Sequence, residues 1–151
     1  MKNSVGRKGH TSPFFSPDDY RILLKPYHKK AVDWAHERGM TAELHSCGFI
    51  EPLIPDLVDI GVEMLNPLEV KAGMDPGKLK RLYGDKLAFH GGINAQLWDN
   101  PELVRAEMER IIPIMKEGGG YVFASDHSIP NSVSFETMKM ISELAHKLGK
   151  Y

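Results

Sequence analysis

The feature that most constrains this chain is a four-fold alternation, in which a short apolar run is followed each time by an amphipathic segment of helical period. The apolar runs occupy residues 41–47, 62–67, 87–92 and 121–126, and the helical segments occupy 50–60, 75–83, 100–116 and 134–148. Strands that alternate with helices form a parallel sheet, because each helix is needed to carry the chain back for the next strand. The predicted class is therefore α/β. One more helix is expected ahead of the first strand, over residues 16–38, where Ser16-Pro17-Asp18-Asp19 supplies an N-cap, a proline at the first helical position and two carboxylates near the positive end of the dipole. Tyr20, Leu23, Leu24, Tyr27, Ala31 and Ala35 recur along it at helical spacing, Pro26 is expected to kink it, and Gly39 stands where a left-handed cap would end it. Asp75-Pro76 and Asn100-Pro101 repeat the start signal, and Gly61, Gly84, Gly118 and Gly149 repeat the stop signal.

The 151 residues are read as a single domain, 1–151, with one core. A closed eight-unit barrel takes about 250 residues, so four units make either a small doubly wound sheet or half of a barrel. Periodicity does not separate the two. In both, ligands bind at the C-terminal ends of the strands, and the polar residues gather there: His45, Ser46 and Cys47, then Asn66 and Glu69, then His90, Gly91, Gly92 and Asn94, then Ser125, Asp126 and His127. Nineteen basic residues against twenty acidic ones leave a net charge of −1, which provides no field for nucleic acid or an anionic membrane. A small-molecule substrate is expected instead. A single cysteine excludes an intrachain disulfide, residues 1–16 are polar, and no apolar run approaches the length of a membrane span. The expectation is a cytoplasmic protein.

His45-Ser46-Cys47-Gly48 is the sharpest motif. Strand side chains two apart share a face, so an imidazole and a thiol converge, and that donor pair suits zinc. The same residues also suit a buried thiol beside a hydrogen-bonded core histidine. Ser125-Asp126-His127-Ser128 could send His127 toward the same mouth as a third ligand, with Asp126 orienting an imidazole; Asp126 and Ser128 could equally brace the turn before the last helix. Glu69 is a candidate fourth ligand or acid/base group, or else a solvated loop carboxylate. In His90-Gly91-Gly92-Ile93-Asn94 the glycines permit close backbone approach to a cofactor, without the spacing of a dinucleotide fingerprint. His28, His36 and His146 lie on helices among charged neighbours and are expected at the surface.

Taken together, HSCGFIEPLIPDLVDIG, NPLEVKAGMD, KLAFHGGIN and GGYVFASDHSIP followed by SFE resemble the successive strand and loop signatures of the uroporphyrinogen decarboxylase superfamily over nearly the whole chain. The resemblance implies a TIM-type (β/α)₈ barrel, with this chain as its last four units, a half-barrel, plus the preceding helix. It also implies one of two chemistries. The methyltransferase branch binds zinc through an HxC motif and a later cysteine; His45 and Cys47 match the first two, and His127 stands where the later cysteine would be. Such an enzyme transfers a methyl group from a corrinoid on a partner protein to a zinc-activated thiol, with Glu69 as a displaceable ligand. The decarboxylase branch acts on a tetrapyrrole in porphyrin synthesis without metal, and there His127 and Asn94 would contact substrate; the HxC pair argues against it. The third reading is a non-catalytic assembly module. An open four-stranded piece of a barrel is expected to expose two strand edges and much of an apolar interior, so it would form a homodimer or pair with an N-terminal half.

Overall fold

A computed structural model describes residues 13–150. Helices α1 (Pro17–Leu23) and α2 (Lys25–His36) lead into strand β1 (Glu43–His45), followed by a 3₁₀ turn (Glu51–Leu53) and α3 (Ile54–Asp59). Strand β2 (Met64–Asn66), a 3₁₀ turn (Val70–Ala72) and α4 (Pro76–Tyr83) come next. Strand β3 (Ala88–His90), a 3₁₀ turn (Ala95–Leu97) and α5 (Pro101–Lys116) then precede β4 (Tyr121–Val122) and α6 (Phe135–Leu148). Among the described residues, no helix is long and apolar enough to cross a membrane.

The start signals act as expected. Asp75 accepts from the Lys78 amide, Asn100 from Glu102 and Leu103, and Ser134 from Thr137. Three expectations are corrected. The helix over 16–38 is two helices that break at Leu24, φ −116° and ψ −41°, because Pro26 has no N–H for the carbonyl of Ile22 and its ring crowds the preceding turn. The segment 50–60 opens as a 3₁₀ turn before it becomes helical. Gly84 and Gly149 end their helices at φ −66° and −77°, without the left-handed turn that Gly39, Gly61 and Gly118 adopt.

The four strands pair in parallel in the order β1-β2-β3-β4. A doubly wound sheet reverses its strand order at a switch point; here every crossover steps the same way, which is the arc of a barrel. The strands are shorter than the apolar runs that encode them. Gly48 at φ 87° turns the chain away after β1, and Gly91 and Gly92 at φ 100° and 89° do so after β3. Pro67, the residue after β2, carries no N–H for the ladder.

Alternation divides the sheet into two faces. Leu44, Leu65, Phe89 and Tyr121 pack toward the helices, where Leu57, Leu79, Met108, Ile111, Ile112 and Met115 complete the core. Glu43, His45, Met64, Asn66, Ala88, His90 and Val122 occupy the other, concave face. Among the described residues β1 and β4 are the outer strands of the sheet. The expected apolar interior is not present: four of its seven residues are Glu, His or Asn, so the concave face is largely polar and is wetted at lower cost than a face of branched aliphatics would be.

Candidate functional site

The site is assembled where the strands end. Leaving β1, His45 and Cys47 project from one face, as their spacing requires, and His45 Nε2 stands 3.6 Å from Cys47 Sγ. On the neighbouring strand Asn66 is the register partner of His45, and its Oδ1 lies 2.6 Å from His45 Nδ1. An amide oxygen only accepts, so Nδ1 is the donor of that pair and Nε2 is the nitrogen that faces the thiol. Nitrogen and sulfur held at about 2.0 and 2.3 Å in a tetrahedral zinc site are about 3.5 Å from each other. The observed separation fits one edge of that tetrahedron.

The remaining candidates take other positions. Glu69 is buried and accepts a hydrogen bond from the Gly48 amide, while Lys71 Nζ lies 3.3 Å from its other oxygen. It therefore holds the turn that follows Cys47 and is not the solvated loop carboxylate of the alternative reading. Asp126 is fully buried, and both its oxygens are engaged: the Val70 amide donates to Oδ2 at 2.8 Å and the Ala95 amide to Oδ1 at 2.7 Å. It meets no imidazole; it ties the loop after β4 to those after β2 and β3. Together Asp126 and Glu69 lace all four loops into one rim.

Asn94 caps the 3₁₀ turn Ala95–Leu97 through a bond from the Gln96 amide. Gly91 and Gly92 allow close approach, but of protein to protein. A methyl group on Gly91 would lie 3.2 Å from the Ser125 carbonyl oxygen, and one on Gly92 would lie 3.1 Å from Pro76 Cγ. His90 turns into the concave face, where Nδ1 meets Glu43 Oε1 at 3.0 Å across the intervening strand. His127 is exposed, its amide donating to Ser125 Oγ at 3.4 Å, and it is not gathered with His45 and Cys47. Among the described residues no three His, Cys, Asp or Glu side chains converge as a metal-binding group.

Two features escaped the sequence. Glu43 shares the concave face with His45, and the same two-residue rule would have found it. His28 was expected at the surface; it is half-buried, with Nδ1 3.0 Å from the Tyr20 hydroxyl. The signal was available, because Tyr20, Leu24 and His28 stand four apart on one helical face. Tyr20, Leu24 and His28 line an apolar cavity of about 250 Å³ with Leu44 and Phe49, and it opens beside Cys47.

A family model described as uroporphyrinogen decarboxylase (URO-D) matches residues 10–148. A curated uroporphyrinogen decarboxylase from Pseudoalteromonas atlantica is 26% identical over 133 residues, 87% of this chain and 38% of that protein. Another, from Shewanella piezotolerans, is 34% identical over 80 residues, 52% of this chain and 23% of that protein. Among solved structures, a methyltransferase from Methanosarcina mazei superposes with a TM-score of 0.66 at 26% identity, over 93% of this chain and 40% of that one. The chain thus spans about two fifths or less of the relatives it matches.

Proposed function

Because this chain belongs to the uroporphyrinogen decarboxylase family, we propose that it carries the thiol-activating part of a zinc-dependent methyl transfer site, with His45 and Cys47 as metal ligands. The observation that carries this reading is the His45–Cys47 pair, whose 3.6 Å separation suits two corners of a zinc tetrahedron. The methyltransferase from Methanosarcina mazei with the same fold lends support. The described residues supply two donors, and His127 is proposed as the third, which requires the loop after β4 to fold over the mouth.

Asn66 fixes the tautomer and orientation of His45, so that Nε2 is the ligating atom. Glu69 holds the Gly48 amide and thereby sets where Cys47 points. Zinc, when bound, would lower the pKa of an incoming thiol and present it as a thiolate. Such a site would supply the thiolate to a methyl-corrinoid donor on a partner protein, the thiol's proton going to solvent and the donor's bonding electron pair staying with the corrinoid, while His45 and Cys47 would hold the metal and Asn66 and Glu69 would keep them in place.

The experiment is metal analysis by native mass spectrometry on protein purified in reducing, zinc-supplemented buffer. One zinc per chain is expected, absent in Cys47→Ser and reduced in His127→Ala, with Asn66→Ala weakening affinity about 10–100-fold. Protein that holds no Cys47-dependent metal sinks the proposal. The curated decarboxylase relatives favour a second reading, metal-free tetrapyrrole decarboxylation, and porphyrin binding with no need for zinc would select it.

A further inference from the structure

The apolar cavity beside Cys47, about 250 Å³, draws its walls from three successive parts of the chain. Tyr20, Leu24 and His28 come from the α1–α2 arm, Leu44 from β1, and Leu53 and Leu57 from the 3₁₀ turn and α3. Four-residue spacing puts the first three on one helical face. Strand alternation turns Leu44 toward them while His45 goes to the concave face, so the cavity and the His45–Cys47 pair lie on either side of one short strand.

Among the described residues that line the cavity there is no lysine, arginine, aspartate or glutamate. Arg21 and Lys25, next in the chain to Tyr20 and Leu24, are committed to Asp56 at 3.0 and 2.8 Å. Burial, then the Asp56 carboxylate, pushes the Tyr20 hydroxyl above the ordinary range of a phenol, so it stays uncharged. A carboxylate or ammonium drawn in from water would meet no countercharge, which is costly. The Tyr20 hydroxyl and His28 Nδ1, 3.0 Å apart, place one polar pair in this apolar wall, and a few such groups orient a ligand. The rings of Tyr20 and Phe49 favour an aromatic guest. An apolar cavity of about 150 Å³ takes benzene, so the larger volume here suits a ring with one or two substituents.

We propose that this cavity binds a compact, uncharged aromatic body of about eight to ten non-hydrogen atoms. Its assignment rests on the zinc reading above: the body belongs to the incoming thiol, whose sulfur then meets the metal held by His45 and Cys47. An anionic thiol finds no partner in these walls and is the poorer acceptor.

The test is titration of the full chain with toluene and with benzoate at about pH 8, above the ordinary range of an imidazole. Calorimetry reads binding, and the rate at which iodoacetamide alkylates the exposed Cys47 reads occupancy beside it. Toluene is expected to bind and to slow alkylation severalfold, and benzoate to do neither. Leu24→Trp, which fills the cavity, should abolish the toluene effect with circular dichroism unchanged, while Leu24→Met, close in volume, should keep it. With zinc bound, phenylmethanethiol should bind roughly tenfold more tightly than mercaptoacetate. Equal effects of toluene and benzoate, or none from either, overturn the proposal, as does toluene binding that survives Leu24→Trp. Should that variant not fold, the contrast between the two probes in the unaltered chain decides. Equal affinities for the two thiols overturn the assignment to the thiol. A chain that binds zinc but not toluene loses the cavity site and keeps the metal site; one that takes toluene but no zinc keeps the cavity site and ends the zinc reading.

Discussion

Asp126 is fully buried, and its two oxygens each accept a backbone amide from a different loop. Burial strips a carboxylate of its water, and here the amides of Val70 and Ala95 supply hydrogen bonds in its place. The carboxylate spans two loops that approach one another because Gly91 and Gly92 carry no side chain. Asp126→Ala should leave both amides unsatisfied and cost about 3 kcal/mol in urea denaturation. Asp126→Asn, which keeps one acceptor, should cost about half as much. An equal, negligible loss in both variants would remove Asp126 from its place as the tie between the loops. The Ser125-Asp126-His127-Ser128 motif showed that a carboxylate belongs at this strand end. It left open whether that carboxylate orients an imidazole or braces the backbone, because the amides it meets lie 31 and 56 residues away.

At the scale of elements, α1 and α2 are fastened to α3 by a second buried carboxylate. Asp56 receives Arg21 Nε at 3.0 Å and Lys25 Nζ at 2.8 Å. The hydrogen bond from Arg21, then that from Lys25, holds the Asp56 carboxyl below its ordinary range. A carboxylate whose pKa is lower in the folded state contributes stability that is present above its unfolded value, about 3.9, and is lost as pH falls through the folded one. Urea midpoints should therefore fall as pH drops below about 4, and Asp56→Asn should flatten that limb while lowering the plateau at neutral pH. Some slope should persist in the variant, because the Ala42 amide and then His36 hold Glu63 low as well. An acid limb unchanged by Asp56→Asn would show that the three helices are fastened otherwise. Helix starts were legible because a cap and a proline act within one turn, whereas the fastening of three helices depends on residues 31 and 35 positions apart.

For the whole molecule, four parallel strands in sequential order pack one face against the helices and turn a largely polar face away from them. The sequence by itself determined the α/β class, the four strand positions, the helix starts and the strand-end location of the polar residues. Each of these follows from alternation, helical period or a cap, which act over a few neighbouring residues. Only the tertiary structure decided that the strands run in sequential order and that the concave face is polar. It alone paired His45 with Cys47 and Asn66 while leaving His127 apart. Those outcomes depend on which strands lie side by side and how the loops turn, and no local pattern carries that information.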